Sequence, residues 1–501
     1  MADYQNIDLH AIARAAIKQY GFNFTPGPDV IEEINGLGLR QFPDQAHGEV
    51  RDLRGLLWSS IDDAESSDLD QLEYCERSER SERSERGGQG EIIVRVAIAD
   101  VDLFVPKGSS TDIYAAGNGT SVYTGTDVFS LLPKRLSTGL TSLLPGVDHD
   151  ALIVEFSVFP NGESVPGDVY RAFVRNKAKL VYEETGSWLE GKTGVPAAIS
   201  GLPGLKEQLE LQDEAAGRLN AFRVEQGAME FDTIEPRPVI REEKVVGLLI
   251  QEKNRARYII ENFMVAANIA MSQFLRKAQS PMIQRVVRVP ANWPAIVETA
   301  AACGETLPSQ PDARALARFL LKRKTVEPES FPDLSLTIVK LLGPGEYMML
   351  DASESSAGHF SLAVMDYTHG TAPNRRYVDV IIQRLLKAVL DKAPCPYDRK
   401  ELFDCAARCT DRDKAAKKVE RFMRKAAAAV MLGGRVGESF DAIVTGASDK
   451  GTYARIAAPP VEGRILRGEK GLAVGQKVRV RLIGMNPYKG QIDFERDTRL
   501  S

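Results

Sequence analysis

The sequence predicts an α/β chain of three units: a small helical module, a large central domain mixing strands and helices, and a five-stranded barrel. Three observations carry that prediction. Residues 56–158 hold the alternating and continuous apolar runs of strands, with turn signals at "PKGSS", "GNGT" and "LLPG". Residues 205–225 and 250–278 repeat apolar side chains at helical spacing. After "GGRVGES" the pattern changes to five short strands between residues 440 and 495. The boundaries fall at 1–55, 56–432 and 433–501, and 501 residues suffice for several domains.

Residues 1–50 read as two or three short helices broken by "TPGPD" and "NGLG", a helix-turn-helix-like module with no strand pattern. The start, "MADYQNIDLHAIARAAIKQYG", lacks the apolar core of a signal peptide and reads as an amphipathic helix. In the central unit, "EIIVRVAIADVDLFV" (91–105) is a buried strand and "RYIIENFMVAANIAMSQFLRKA" (257–278) a long buried helix. "YVDVIIQRLLKAVLDKA" and "KAAKKVERFMRKAAAAVML" are two more helices. "CERSERSERSERGGQG" (75–90) is a charged repeat that no core could use, and is predicted to be a solvated loop. The strands "FDAIVTG", "TYARIA", "VEGRIL", "KVRVRLIG" and "GQIDFE", with glycines at the corners, predict a Greek-key barrel of the oligonucleotide-binding type.

Charged content of 27% and hydrophobic content of 43% are those of an ordinary folded chain. No apolar run reaches the ~18 residues of a membrane helix. Five cysteines, odd in number and without CxxC pairs, fit a reducing cytoplasm, and Cys405 and Cys409 read as packing residues. A net charge of −5 argues against indiscriminate coating of nucleic acid but leaves room for local basic segments such as "RNKAK" (175–179) and "KNRAR" (253–257).

The segment "SIDDAESSDLDQLEY" (60–74) crowds carboxylates beside apolar strands. Asp62, Asp68 and Asp70 sit on a segment too short and too Ser-rich for a helix, so a compact loop could gather them on one point. Like charges so close repel unless positive charge sits among them, and divalent metal supplies it. An EF-hand does not fit: Ala64 fills the third position and Ser67 replaces the required glycine. Spacing alone leaves a metal site and a solvated acidic turn both open.

The segment "SSIDDAESSDLDQ" resembles the signature of the ribonuclease II family, T-I-D-x5-D-x-D-D, followed by a buried strand ending in I-A-D, here "VRVAIADVDLFV". The resemblance continues through "TSVYTGTDVFSLLPKRLSTGLTSLLPG", "NKAKLVYEETGSWLEGKTG", "GAMEF", "IIENFMVAANIA" and "HFSLAVMDYTHGTAPNRRYVDVIIQRLLKAV", over roughly residues 56–430. The C-terminal barrel is similar to the S1 RNA-binding domain of that family. The resemblance implies an α/β multidomain chain with a central barrel-like RNB-type catalytic domain. It implies a processive 3′→5′ exoribonuclease that hydrolyses single-stranded RNA to nucleoside 5′-monophosphates with two divalent ions, Mg²⁺ or Mn²⁺. It further implies a cytoplasmic monomer with RNA, not membrane, as partner.

Residue by residue, the resemblance implies that Asp62, Asp68 and Asp70 hold metal and that Arg375 grips phosphate beside them. Tyr123 and Phe231 match the aromatic pair that stacks on bases, Tyr182 and Glu261 match ribose contacts, and Arg376 and Glu420 match positions near the RNA end. Tyr453 falls where S1 domains place a stacking aromatic, with Lys450 beside it and Arg455, Arg464 and Lys477 as further phosphate contacts. Without the resemblance, the aromatics read as core residues, Glu261 as a surface charge and Arg375–Arg376 as a solvated pair. His359 and His369 read as structural.

Two departures stand out. Gln71 occupies the position of the family's fourth aspartate; its carbonyl can still ligate a hard cation, with less pull. Asp63 is a candidate to lend charge from behind. The cold-shock barrels that usually precede the catalytic domain do not fit into 55 residues. Gln71 also supports a rival reading, an RNA-binding regulator with a degenerate site. A DNA-binding role for the N-terminal helices is a weaker alternative, because "AIARAAIKQYGFNF" lacks a basic recognition face.

Overall fold

The computed structural model describes residues 7–38, 50–78, 90–232, 236–241, 244–250, 253–448, 451–456 and 458–497. Strands β1 (Arg51–Asp52), β2 (Ser59–Asp62), β3 (Gln71–Arg77) and β4 (Ile92–Ala99) open the central unit. A two-stranded ribbon of β5 (Val122–Tyr123) and β6 (Val128–Phe129) follows, then β7 (Asp148–Val158), β8 (Ser164–Arg175) and β9 (Ala178–Val181). Seven of them form one mixed sheet in the order β1-β8-β7-β4-β3-β2-β9. The edge pairs β1–β8 and β2–β9 are parallel and the inner pairs antiparallel. The predicted barrel-like closure of this domain is corrected: β1 and β9 are edges of an open sheet.

Burial explains the apolar runs. Ile92, Val94, Val96, Ile98, Ile153, Val154 and Phe156 are almost wholly excluded from solvent, since β4 and β7 sit mid-sheet. β3 continues through Arg77 with Cys75 fully buried, so the solvated loop predicted from residue 75 does not begin there. The remainder of the repeat, 79–89, lies outside the described residues, as does Lys450.

Helices α1 (Leu9–Gln19) and α2 (Pro28–Gly36) form as predicted, but they join different apolar clusters. Ile12, Ala13 and Ile17 of α1 pack with Val419 and Met423 of a distant helix, whereas Val30 and Ile34 of α2 join the central core. Glu33 of α2 accepts the Thr111 N–H at 3.0 Å, capping α3 (Ser110–Asn118). β1 lies just past the helical stretch 1–50 and pairs with β8 of the central sheet.

The remaining helices are α4 (Tyr182–Leu189), α5 (Ala197–Ser200), α6 (Leu205–Gln226), α7 (Arg255–Lys277), α8 (Trp293–Ala302), α9 (Ala313–Val326), α10 (Phe331–Leu342), α11 (Tyr377–Leu390) and α12 (Arg399–Met431). A capping box at Asp398 and Glu401 starts α12, which runs 33 residues and so begins well before the predicted "KAAKKVERF" stretch. Between α5 and α12 lie two ribbons, β10 (Pro236–Arg241) with β11 (Lys244–Ile250) and β12 (Met282–Val286) with β13 (Glu346–Leu350).

The C-terminal strands β14 (Ser439–Ser448), β15 (Gly451–Ile456), β16 (Val461–Arg467), β17 (Lys477–Asn486) and β18 (Gln491–Arg496) close into a barrel ordered β14-β15-β16-β18-β17. Ala428, Ala429 and Leu432 at the end of α12 pack into its core with Phe440, Val480 and Phe494. Among the described residues no helix is long and apolar enough to cross a membrane, and all five cysteines are free thiols.

One buried cation fixes α11 to the segment that follows β4 and to α3. Arg384, 4% exposed, donates to Asp102 at 2.6 Å, Asp112 at 2.8 Å, the Tyr397 hydroxyl at 2.6 Å and the Val105 carbonyl at 2.6 Å. Arg384→Leu would leave Asp112 buried without its counter-ion. The expected loss is about 3–5 kcal/mol in urea unfolding, and a loss below about 1 kcal/mol would show that the network is dispensable.

Candidate active site

The acidic segment is a pinned loop and not a solvated turn. Asp62 ends β2, Gln71 begins β3, and the residues between cross from one strand to the other. Lys179 of β9 donates to the carbonyls of Ala64 and Ser66 at 2.9 and 2.6 Å. Ser142 Oγ donates to the Ser67 carbonyl at 2.8 Å and accepts the Leu69 N–H at 2.9 Å. With the backbone held by neighbours and Leu69 fully buried, the carboxylates cannot swing freely into water.

Asp70 is 3% exposed and is the best anchored of them. It accepts the Asn374 backbone N–H at 2.8 Å and the Arg375 Nε–H at 3.0 Å. Thr141 holds the Asn374 amide at 2.5 Å, which aims that backbone N–H. Burial pushes Asp70 up to about 7, against the pull of Arg375. Asp62 is pushed up to about 6, first by burial and then by Asp68, while Arg375 and Lys179 oppose the shift. Asp68 is raised for the same reason. Burial holds three carboxylates above their ordinary range although Arg375 and Lys179 pull the other way, the signature of a low-dielectric acidic site.

The donors are oxygens, the set a hard divalent cation takes, and the buried Asp62 Oδ2 has no hydrogen-bond donor facing it. These residues fit such an ion through Asp62 and Asp68. They do not form a ready-made cage: among the described residues no three Asp, Glu, His or Cys side chains converge on one point. Asp70 turns both oxygens toward Asn374 and Arg375 instead. Gln71 is 5% exposed at the head of β3.

Other predicted residues divide into those that gather here and those that do not. Tyr123 keeps 42% of its surface exposed. Its phenol is pushed up to about 12, first by burial, then by Asp68, Asp70 and Glu420. The Tyr123 backbone N–H donates to Glu420 of α12 at 3.3 Å, so these two meet across 297 residues. Tyr182 begins α4 with the Arg257 guanidinium 4.1 Å over its ring, and Asp62 lies within electrostatic reach of its hydroxyl. Arg375 and Arg376 stand immediately before α11.

Arg376 is tied to the fully buried Asp379 at 2.7 Å, so it braces its own motif. Asp63 is paired with Arg257 at 2.7 Å. Phe231 packs against the cluster of α8–α10, and Tyr123 makes no ring contact with it among the described residues. Glu261 sits on the exposed face of α7, paired with Lys253 at 3.4 Å. Tyr453 on β15 has the Lys425 ammonium 5.5 Å from its ring. Arg455 is bonded to Asp333 of α10. His369, half-buried, hydrogen-bonds with the Tyr347 hydroxyl at 2.8 Å, and His359 packs edge-on to Tyr367.

Sequence reasoning missed Lys179, Ser142, Asn374 and Arg257. Asn374 lies inside "TAPNRRY" and Lys179 inside "RNKAK", but nothing local says that their partners lie in the acidic loop.

Comparison with known families decides the kinship. The model described as RNB domain matches residues 50–392, and that of the RNase II-type exonuclease C-terminal S1 domain matches residues 438–497. The chain belongs to the RNB family. Ribonuclease R of Aquifex aeolicus is 27% identical over 506 residues, covering 96% of this chain and 69% of that protein. The chain spans 58–69% of the length of four such ribonuclease R relatives. Among solved structures, Mycoplasma genitalium RNase R in complex with ribose methylated single-stranded RNA superposes with a TM-score of 0.86 at 22% identity, over 98% of this chain and 78% of that one. Yeast Ssd1, a pseudonuclease, shares the fold with a TM-score of 0.64 at 16% identity, over 91% and 55%.

The raised Asp62 predicts a pH dependence. Its carboxyl titrates at 3.8 in the unfolded chain and at about 6 in the fold, so the folded state binds the proton more tightly. This contribution favours folding below pH 3.8 and is lost as pH rises through 6. In urea unfolding of metal-stripped protein, Asp62→Asn should exceed the parent at pH 8 by up to roughly 3 kcal/mol, with the gap closing toward pH 4. A gap independent of pH would remove Asp62 as the source.

Proposed function

We propose that this chain is a divalent-metal-dependent 3′→5′ exoribonuclease that degrades single-stranded RNA to nucleoside 5′-monophosphates. The observation that carries the reading is the buried Asp70 bound to Arg375, with Asp62 and Asp68 within electrostatic reach of that guanidinium, in a chain that matches the RNB and S1 families.

Asp62 and Asp68 would hold the ions, with the Gln71 carbonyl as a weaker neighbour. When bound, Mg²⁺ or Mn²⁺ supplies Lewis acidity toward phosphate oxygens and toward attacking water. Asp70 fixes the Arg375 guanidinium through Nε, leaving its two terminal nitrogens to take phosphate oxygens. Tyr123 offers an exposed ring on which any base can stack, and Glu420 anchors that ring's backbone. Phe231, Tyr182, Glu261 and Arg376 are proposed to guide the strand further out, and Tyr453 with the S1-type barrel to recruit it.

End-labelled RNA and DNA single strands, incubated with Mg²⁺, test this reading. RNA should be consumed to mononucleotides and DNA spared. Asp70→Asn should abolish hydrolysis with RNA binding kept within a few-fold; an unchanged rate would refute the assignment. The rival reading, an RNA-binding regulator, rests on Gln71 and the lack of a preformed cage. It wins if RNA is bound but no mononucleotide appears at any Mg²⁺ concentration. Tyr123→Ala should weaken single-strand binding by about 1–3 kcal/mol in filter binding, equally across base sequences.

A further inference from the structure

The ribbon that carries Tyr123 cannot hold itself in place. β5 and β6 contribute two residues each, and so short a pair of strands is at best marginal on its own in water. Its register sets Val122 opposite Phe129 and Tyr123 opposite Val128. Side chains alternate along a strand, so Val122 and Phe129 share one face while Tyr123 and Val128 share the other. Val122 is fully buried, whereas Tyr123 and Val128 are exposed. The orientation of the outer face, and with it of the Tyr123 ring, therefore depends on what covers the inner one.

The cover is the N-terminal module together with α12. Val122 belongs to the apolar cluster that Leu9, Ile12 and Ile17 of α1 build with Val419 and Met423 of α12. Phe24 stacks on Phe22 with ring centres 5.5 Å apart and meets the Phe129 ring at 5.7 Å. His10 of α1 hydrogen-bonds with the Asp127 carboxylate at 2.8 Å, in the turn between the two strands. Asn23 and the buried Asn118 exchange two hydrogen bonds, at 3.0 and 2.8 Å. Beyond Asn118 the chain runs to Tyr123 alongside the arginine motif. The Gly119 carbonyl accepts the Tyr377 N–H at 2.9 Å, and the Ser121 N–H donates to the Arg375 carbonyl at 3.0 Å. The module thus holds the ribbon before its first strand, at its turn and on its inner face, and the same segment is bonded to the backbone of Arg375.

We propose that the N-terminal module is a positioning element for the RNA end, setting the Tyr123 ring for a stacking base through Phe24 and His10. The proposal rests on the reading above in which Tyr123 stacks on RNA, and assigns that reading two residues that touch no nucleotide themselves.

The test is equilibrium binding of a short fluorescent single-stranded RNA to the full chain in EDTA, where hydrolysis does not compete. The parent is compared with Phe24→Ala, His10→Ala, Tyr123→Ala and the double variants Phe24→Ala/Tyr123→Ala and His10→Ala/Tyr123→Ala. Phe24→Ala and His10→Ala should each weaken binding by about threefold or more, a part of what one stacked base contributes. In the Tyr123→Ala background the same changes should move binding by less than about twofold, because residues that act through one group are not additive. A merely structural loss would be equally large with and without the Tyr123 ring, and that result overturns the inference. If Tyr123→Ala is weakened but Phe24→Ala binds like the parent, this inference alone is overturned. Should Phe24→Ala fail to fold, His10→Ala and its double variant are read in the same way. If Tyr123→Ala itself binds like the parent, the stacking reading falls and this inference falls with it.

Discussion

The bond between Asp70 and Arg375 joins two parts of the chain 305 residues apart. Asp70 closes the acidic loop between β2 and β3; Arg375 shortly precedes α11. The pair is asymmetric, with the carboxylate side chain 2% exposed and the guanidinium side chain 45% exposed. Removing a carboxylate from water is expensive, and a single charged partner seldom offsets it. Asp70 therefore also needs the Asn374 N–H, and Asn374 in turn needs Thr141. The consequence is a guanidinium held by one edge with its other edge open, the arrangement that recognises a planar anion.

The rest of the central unit serves to keep that constraint satisfied. Arg384 bonds α11 to Asp102 and Asp112 below the end of β4, and Lys387 adds a contact to Asp100 at 2.9 Å. The residues following "VRVAIAD" and the helix "YVDVIIQRLLK" are thereby one electrostatic unit. The acidic loop is held from the opposite side by Lys179 on β9. Positive side chains thus brace the site on both flanks while its centre remains acidic.

The third contributor is α12. Its start is capped by Asp398 and Glu401, its middle packs on α1, Glu420 reaches Tyr123, and its end enters the barrel core. A Cβ on Gly490, whose φ is +57°, would lie 2.9 Å from the Phe422 ring, so helix and barrel touch without intervening side chain. The helical module, the aromatic beside the acidic loop and the S1-type barrel are all referenced to this one rod.

Periodicity and motif made much of this legible in advance. The barrel strands, α6, α7 and α11 follow from residue spacing, because each buries one face and the pattern records which. The carboxylates Asp62, Asp68 and Asp70, with Arg375, follow from their resemblance to a family signature. Other features could not be read locally. The extension of β3 through Cys75 depends on β4 and α6 covering it, and a charged repeat just beyond masks the signal. Arg455 and Asp63 look like free charges until Asp333 and Arg257 arrive from distant segments, and Arg376 until Asp379, one turn on in its own motif, meets it. The sequence by itself determined which residues were chemically able to build the site. Only tertiary structure decided which carboxylates lose their water and which arginines are already spent, because burial and charge pairing are properties of neighbours and not of spacing.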